Sequence, residues 1–429
     1  MIGRRRHQAL TQEGTPRLLV PLVQTLLMFE SSLYSVLTPI LPHYAHALGA
    51  SKPAIGVLTG AYTAGLIPGS LLGGWMAARA GVRRTTFTGL ALFAVAVAAF
   101  GFATDIVALD GLRAIQGFAC GGIWGGALTW VIAATPASRR GRVLGAAFSA
   151  AILGTLLGPA VGTAAVWLGT GIVFAGLGAI AAGLAAWVLR FPDAAIAPTG
   201  DRGSIGGLLR NRALLLGTWL MLLEAGALGV VYTLIPLRLS HFGASSVAIG
   251  AIFLVASGVR TLIAPQIGRV SDRRGAIAPT AVGLVLAALV MTAVPLPQSV
   301  AGLAVVSVIV MAGPLTAFVI PASSLLTVAA ERAGISLAIA TMIFNLSFAL
   351  GQTIGAPVGA SLAQATSDAV PFLALAALLL LTLVLVLAWR RQPQVAEAAA
   401  PMEQGPVRHV PRPASSPARA RRAQNLSAR

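Results

Sequence analysis

Residues 30–81 of this chain recur without a gap at residues 224–275. Glu30 falls on Glu224, Pro42 on Pro236, Gly49-Ala50-Ser51 on Gly243-Ala244-Ser245, and Ala54-Ile55-Gly56 on Ala248-Ile249-Gly250. Gly74, Arg79 and Gly81 fall on Gly268, Arg273 and Gly275. Self-similarity at one long, fixed offset means two copies of a structural unit. Each copy reads as an apolar helix with an acid inside it, a short loop, a second apolar helix and a basic turn. Repeated halves with an ionisable group inside an apolar span are the pattern of a secondary transporter.

The solvent for such helices is set by composition. The chain is 57 % hydrophobic and 10 % charged, against about 25 % charged in soluble domains. Twelve stretches reach the ~20 mostly apolar residues that a membrane-spanning helix needs. In the first half they run Leu18–Pro42, Ala54–Ala78, Thr85–Ala103, Ile106–Ala134, Val143–Trp167 and Thr170–Leu189. In the second they run Ala213–Leu237, Val247–Val270, Ala278–Pro295, Val300–Ala329, Ile335–Ala363 and Val370–Trp389. The expected fold is an all-α membrane protein with twelve transmembrane helices in two pseudo-symmetric six-helix bundles. The bundles cover residues 18–190 and 213–389 and are joined by a cytoplasmic linker at 191–212. Residues 1–17 read as a cytoplasmic N-terminal segment. Residues 390–429, rich in Pro, Ala and Arg, read as a disordered basic tail.

The net charge of +18 does not point to nucleic acid, because nearly all of it lies between or outside the spans. The arginines cluster on one side: Arg79, Arg83 and Arg84, then Arg139, Arg140 and Arg142, then Arg269, Arg273 and Arg274. The opposite side holds Lys52 and Arg238. Basic loops stay in the cytoplasm, so a multi-pass protein of the cell membrane with both termini cytoplasmic is expected. The single cysteine, Cys120, excludes an internal disulfide. His43 and His46 lack the third ligand that a metal site needs. No phosphate-cradling loop or nucleophile elbow is present. Neither enzyme activity, metal nor cofactor is expected, and the proton gradient is the expected energy source. The expected partners are the bilayer, protons and a small-molecule substrate, with the chain acting as a monomer.

Glu30 and Glu224 lie mid-span, where a charge costs about 2.5–3.5 kcal/mol. A carboxyl that meets a dry site and a wet or cationic one in turn binds and releases a proton, so both are candidate proton-coupling residues. Arg113 and Arg260 are the two arginines lying well inside spans, away from the basic loops. Arg113 has two candidate partners, Asp110 three residues earlier and Glu30 across the bundle. Arg260 is the candidate beside Glu224. Candidate cavity residues are Gln24, Tyr34, Gln116, Trp124, Tyr232, Phe344, Asn345, Phe348 and Gln352. The fifth span carries Gly154, Gly158, Pro159 and Gly162, and the eleventh echoes it with Gly351, Gly355, Pro357 and Gly359. Glycines four apart make a stripe on which another helix can approach closely.

These residues resemble the major facilitator superfamily, and within it the twelve-span drug:proton antiporters. Gly74-x-x-x-Ala78-Arg79-x-Gly81-x-Arg83 is similar to the superfamily's loop signature after the second span, with Ala78 where the family has Asp. The second copy, Gly268-x-x-x-Asp272-Arg273-x-Gly275, keeps the Asp. Leu109-x-x-x-Arg113-x-x-Gln116-Gly117 resembles the fourth-span signature linked with proton transfer, and Gly154 to Gly162 the fifth-span signature of antiporters. The resemblance implies that the basic loops latch one conformation and that an acid in the first span serves cation exchange. It implies proton-coupled export of small amphipathic or cationic molecules by alternating access. Two alternatives are a proton-coupled importer of a sugar or other nutrient on the same fold, and a non-transporting membrane receptor or assembly factor.

Overall fold

A computed structural model of the chain describes residues 18–136, 139–193, 211–333, 335 and 337–400. The N-terminal segment 1–17, linker residues 194–210 and the tail from 401 lie outside these described residues. The first bundle is built from α1 (Leu19–Ser35), α2 (Leu41–Ala47), α3 (Lys52–Ala80), α4 (Val82–Phe100), α5 (Ile106–Ala134), α6 (Arg140–Leu168) and α7 (Thr170–Val188). The second is built from α8 (Arg212–His241), α9 (Ser246–Arg274), α10 (Ile277–Ala293), α11 (Val300–Ala312), α12 (Pro314–Arg332), α13 (Leu337–Ala365) and α14 (Ala369–Trp389), followed by a short α15 (Pro393–Ala398). Among the described residues nine helical stretches are long and apolar enough to cross a membrane, α11 and α12 counting as one. With α1, α10 and α13 the count reaches the twelve expected.

The repeat has a physical basis. Gly49 and Gly243 end the first loop of each half with φ of +58° and +89°, and Gly81 and Gly275 turn the second with +92° and +80°. Side chains rarely adopt that region. Ser51 and Ser245 cap the following helices, accepting from Ala54 N at 3.4 Å and Ala248 N at 3.2 Å; such caps satisfy amides that the helix itself leaves open.

Two expected spans are divided. The first breaks over residues 36–40. Pro39 lacks an N–H and its ring displaces the carbonyl four residues back, that of Ser35, where α1 ends. At the matching position the second half has Thr233, which donates to the Gly229 carbonyl at 2.8 Å, and α8 runs unbroken through Pro236. The tenth span divides at Gly313-Pro314, for the same lack of a donor.

Glycine stripes set the closest approaches. A Cβ on Gly154 would lie 2.0 Å from the Met28 carbonyl oxygen, and one on Gly162 would lie 2.1 Å from that of Val36, so α6 rests directly on the α1 backbone. Gly351 and Gly355 press α13 on α8 in the same way, 2.2 Å from Leu222 O and 2.3 Å from Gly226 O. A third zipper joins α3 to α5, where Gly65, Gly69 and Gly73 interlock with Gly117 and Gly121. Each bundle carries its own apolar core.

The contacts that join the bundles cluster at the Lys52 end. Lys52 Nζ meets Asp368 Oδ1 at 2.5 Å, Gly56 packs on Ala356 and Ala360, and Thr353 bonds Thr63 at 3.0 Å. Thr163 donates to the Ser246 carbonyl at 3.3 Å.

Residues 390–400, expected to begin a disordered tail, are described and include a short helix. α15 buries Val395 and Ala398, its Gln394 accepts from Arg212 N at 2.9 Å, and Ala399 O accepts from Ala276 N at 2.9 Å. The reason is local: this one turn satisfies open amides at the starts of α8 and α10.

Candidate functional site

A cavity of about 530 Å³ lies between the bundles, on the basic-loop side of these contacts. Both repeat copies place their acid in its wall. Glu30 is 3 % exposed and Glu224 2 %, and their surroundings differ. Glu224 Oε1 pairs with Arg260 Nη2 at 2.8 Å. Glu30 meets neutral donors: Trp124 Nε1 donates to Oε2 at 2.6 Å, the Ser31 hydroxyl to the same oxygen at 3.4 Å, and the Tyr62 hydroxyl to Oε1. In each half one partner comes from the next long helix, Tyr62 from α3 and Arg260 from α9, one turn apart in the repeat. The position matching Tyr62 is Ala256, and that matching Arg260 is Leu66.

Arg113 pairs with neither of its expected partners. Its Nη1 donates to the Leu33 carbonyl at 3.0 Å and to Gln116 Oε1 at 2.9 Å, and its Nη2 to the Tyr34 carbonyl at 2.7 Å. Those carbonyls are open because α1 stops at Ser35, so the guanidinium caps a helix end that Pro39 created. Asp110 stands apart, with a buried Oδ1 that accepts no hydrogen bond. The link from Arg113 to Glu30 is indirect: the guanidinium sits 4.5 Å over the Tyr62 ring, and the hydroxyl of that ring holds the carboxylate.

Of the candidate cavity residues, Tyr34, Trp124, Phe344, Asn345 and Phe348 line the cavity. The other four stitch helices together. Gln24 Nε2 donates to the Ala146 carbonyl at 3.4 Å, joining α1 to α6. Gln116 donates to Ala96 O at 3.3 Å, joining α5 to α4. Gln352 accepts from the Tyr34 hydroxyl at 2.7 Å across the bundles, and the Tyr232 ring packs at a tilt against Phe253, 5.8 Å between centroids, joining α8 to α9. The remaining wall is largely apolar. Trp124 and Phe148 lie 5.9 Å apart at 44°, and Leu66, Ile152, Val319 and Ile320 extend that surface. Tyr62, Ser31 and Phe148 are site residues that sequence reasoning missed. A search for polar or aromatic residues one turn from Arg260 in the repeat would have found Tyr62.

The profile of the Major Facilitator Superfamily matches residues 24–352, more than half of the chain. The chain belongs to the major facilitator superfamily. Its similarity to an MFS-type transporter from Escherichia coli O45:K1 (strain S88 / ExPEC), YcaD, described as uncharacterized, is 25 % identity over 253 residues. That match covers 56 % of this chain and 63 % of the relative's length. The superfamily fold is also seen in a bacterial homolog to the human lysosomal transporter Spinster, solved in an inward-facing and unoccupied conformation. There the TM-score is 0.74 at 14 % identity, with 89 % of this chain and 98 % of that one covered. The nucleoside transporter NupG gives a TM-score of 0.69 at 15 % identity, covering 87 % and 99 %. The chain thus shares a superfamily with transporters, and it spans about 63 % of the length of the curated relatives it matches.

The loop signatures of this superfamily chain are built unevenly. Gly81 leaves room for Asp193, whose Oδ2 would lie 2.3 Å from a Cβ there. Asp193 Oδ1 accepts from Arg83 N at 3.1 Å, and Arg83 Nη1 donates to Phe191 O at 3.2 Å. Asp193, in the segment after α7, thus places a carboxylate beside the Gly81 turn. Arg79 lies over Trp75 at 4.6 Å, and Gly74 faces open space. In the second copy a Cβ on Gly268 would lie 4.0 Å from Ile320, and Asp272 and Arg273 enter none of the three ion pairs among the described residues. In α6, a Cβ on Gly158 would lie 1.9 Å from Ser35 Oγ, and the carbonyl of Pro159 accepts from Thr163 at 2.9 Å.

Proposed function

We propose that the chain is a proton-coupled exporter of small amphipathic cations, working by alternating access with its basic loops in the cytoplasm of the cell. The carrying observation is the unequal state of the two matched acids. Glu224 already has a cation, whereas Glu30 enters none of the ion pairs among the described residues. Glu30 therefore has room for one positive charge, a proton or an organic cation but not both. An indole N–H only donates, while a phenol hydroxyl both donates and accepts. A proton arriving at Oε1 is accommodated when the Tyr62 hydroxyl reverses its bond, and the Trp124 bond to Oε2 persists. The Trp124–Phe148 wall suits the body of an amphipathic cation through ring-face attraction.

Inward proton movement supplies about 2.3 kcal/mol per charge per 100 mV of membrane potential. Rocking of the two bundles about the cavity would then carry the displaced cation outward. The test is uptake of a fluorescent quaternary ammonium dye into inverted vesicles with an acidic lumen. Accumulation that collapses with the pH gradient is expected. Accumulation only under the reversed gradient would make the chain an importer.

A further inference from the structure

On the Lys52 side of Tyr34 lies a second, much smaller chamber of about 30 Å³, room for one water-sized or monatomic body. Its polar lining comes from both bundles: Tyr34, Ser35, Thr38, Thr59 and Arg113 from the first, Tyr232 and Gln352 from the second. Arg113 is 3 % exposed. Its two terminal nitrogens are engaged as described above, and its Nε is buried with no partner. It belongs to none of the ion pairs among the described residues. The carbonyl end of α1 and the Glu30 carboxylate beyond the Tyr62 ring offset part of its charge, but a buried guanidinium with no counter-ion in contact is costly.

The residues lining the chamber can supply donors: Arg113 Nε, which has no partner, the hydroxyls of Thr38 and Tyr232, which can also accept, and the amide nitrogen of Gln352, whose oxygen is already taken by Tyr34. The Thr59 hydroxyl is turned to the Ile55 carbonyl at 3.0 Å. A buried water balances donors against acceptors, whereas a monatomic anion takes donors and neutralises the charge. We propose that this chamber binds a halide ion, with Arg113 as its charge partner and Thr38, Tyr232 and Gln352 as hydrogen-bond donors. Because both bundles form the wall, the ion binds while the Lys52 end is closed, and it favours that state over the opposite one.

The test uses the full chain in lipid nanodiscs, melted in sodium bromide or in sodium gluconate at equal ionic strength. Bromide is expected to raise the melting temperature with a saturable dependence. Tyr232→Phe and Thr38→Val are each expected to raise the half-saturating bromide concentration at least five-fold. Equal melting in the two salts overturns the proposal. Diffraction from bromide-soaked crystals of the unaltered protein decides the case if the variants fail to fold or leave the bromide effect unchanged. An anomalous peak in the chamber supports the site, and an ordered water alone overturns it.

Discussion

Gly154→Ala and Gly176→Ala add the same methyl group to two helices, with opposite consequences expected. At Gly154 the new Cβ would lie 2.0 Å from the Met28 carbonyl oxygen and 2.8 Å from its carbon, whereas ordinary contact begins at 3.4 Å. Since both are backbone atoms, α1 and α6 must part by more than an ångström. Overpacking of that kind costs roughly 1–3 kcal/mol. At Gly176, within α7, nothing lies within 4 Å. There alanine only reduces the conformational freedom that folding removes, a gain of roughly 0.5–1 kcal/mol. The two variants should therefore differ by about 1.5–4 kcal/mol, with opposite signs. Thermal melting in detergent, followed by tryptophan emission, measures both against the unaltered chain. Melting shifts of the same sign and size would show that the stripe is not a close-packing surface.

Other outcomes follow from particular contacts. Arg260→Ala strands Glu224 in a buried site and should destabilise the chain by about 3–5 kcal/mol; adding Glu224→Gln should recover most of the melting temperature, and no recovery would mean the pair is not coupled. Asp193→Ala removes the acceptor at the start of α4 and should cost about 1 kcal/mol, visible as faster hydrogen exchange at residues 82–84. In a Cys120→Ser background, a cysteine at position 52 should react with an impermeant thiol reagent from outside intact cells and one at 273 should not; the reverse pattern would invert the topology.

Span positions were legible because the bilayer demands long apolar runs, and the fourth expected span coincides with α5 at both ends. The break after Ser35 was not read, since Pro39 sits inside a stretch long enough to pass as one span. Asp110 is the obvious neighbour of Arg113 along the helix, yet the long arginine side chain reaches open carbonyls on α1, and such carbonyls leave no mark in composition. Gln24, Gln116 and Gln352 drew attention as polar residues within spans, but a polar side chain there serves equally to tie two helices together. Tyr62 escaped notice because the repeat places Ala256 opposite it. The repeated acids themselves were legible, and the structure brings both to one cavity. The six residues of α15 carry too little apolar pattern to separate from the tail.

Glu30→Gln tests the central claim most directly. The glutamine keeps the size of the acid but can neither release a proton nor neutralise a cation. Inverted vesicles with an acidic lumen, loaded with unaltered protein or with the variant at matched expression, report uphill uptake of the dye. The unaltered protein should concentrate it, and Glu30→Gln should fail to do so while Glu30→Asp keeps part of the activity. Uphill uptake by Glu30→Gln at the unaltered rate would show that the proton is carried elsewhere and that Glu30 is structural.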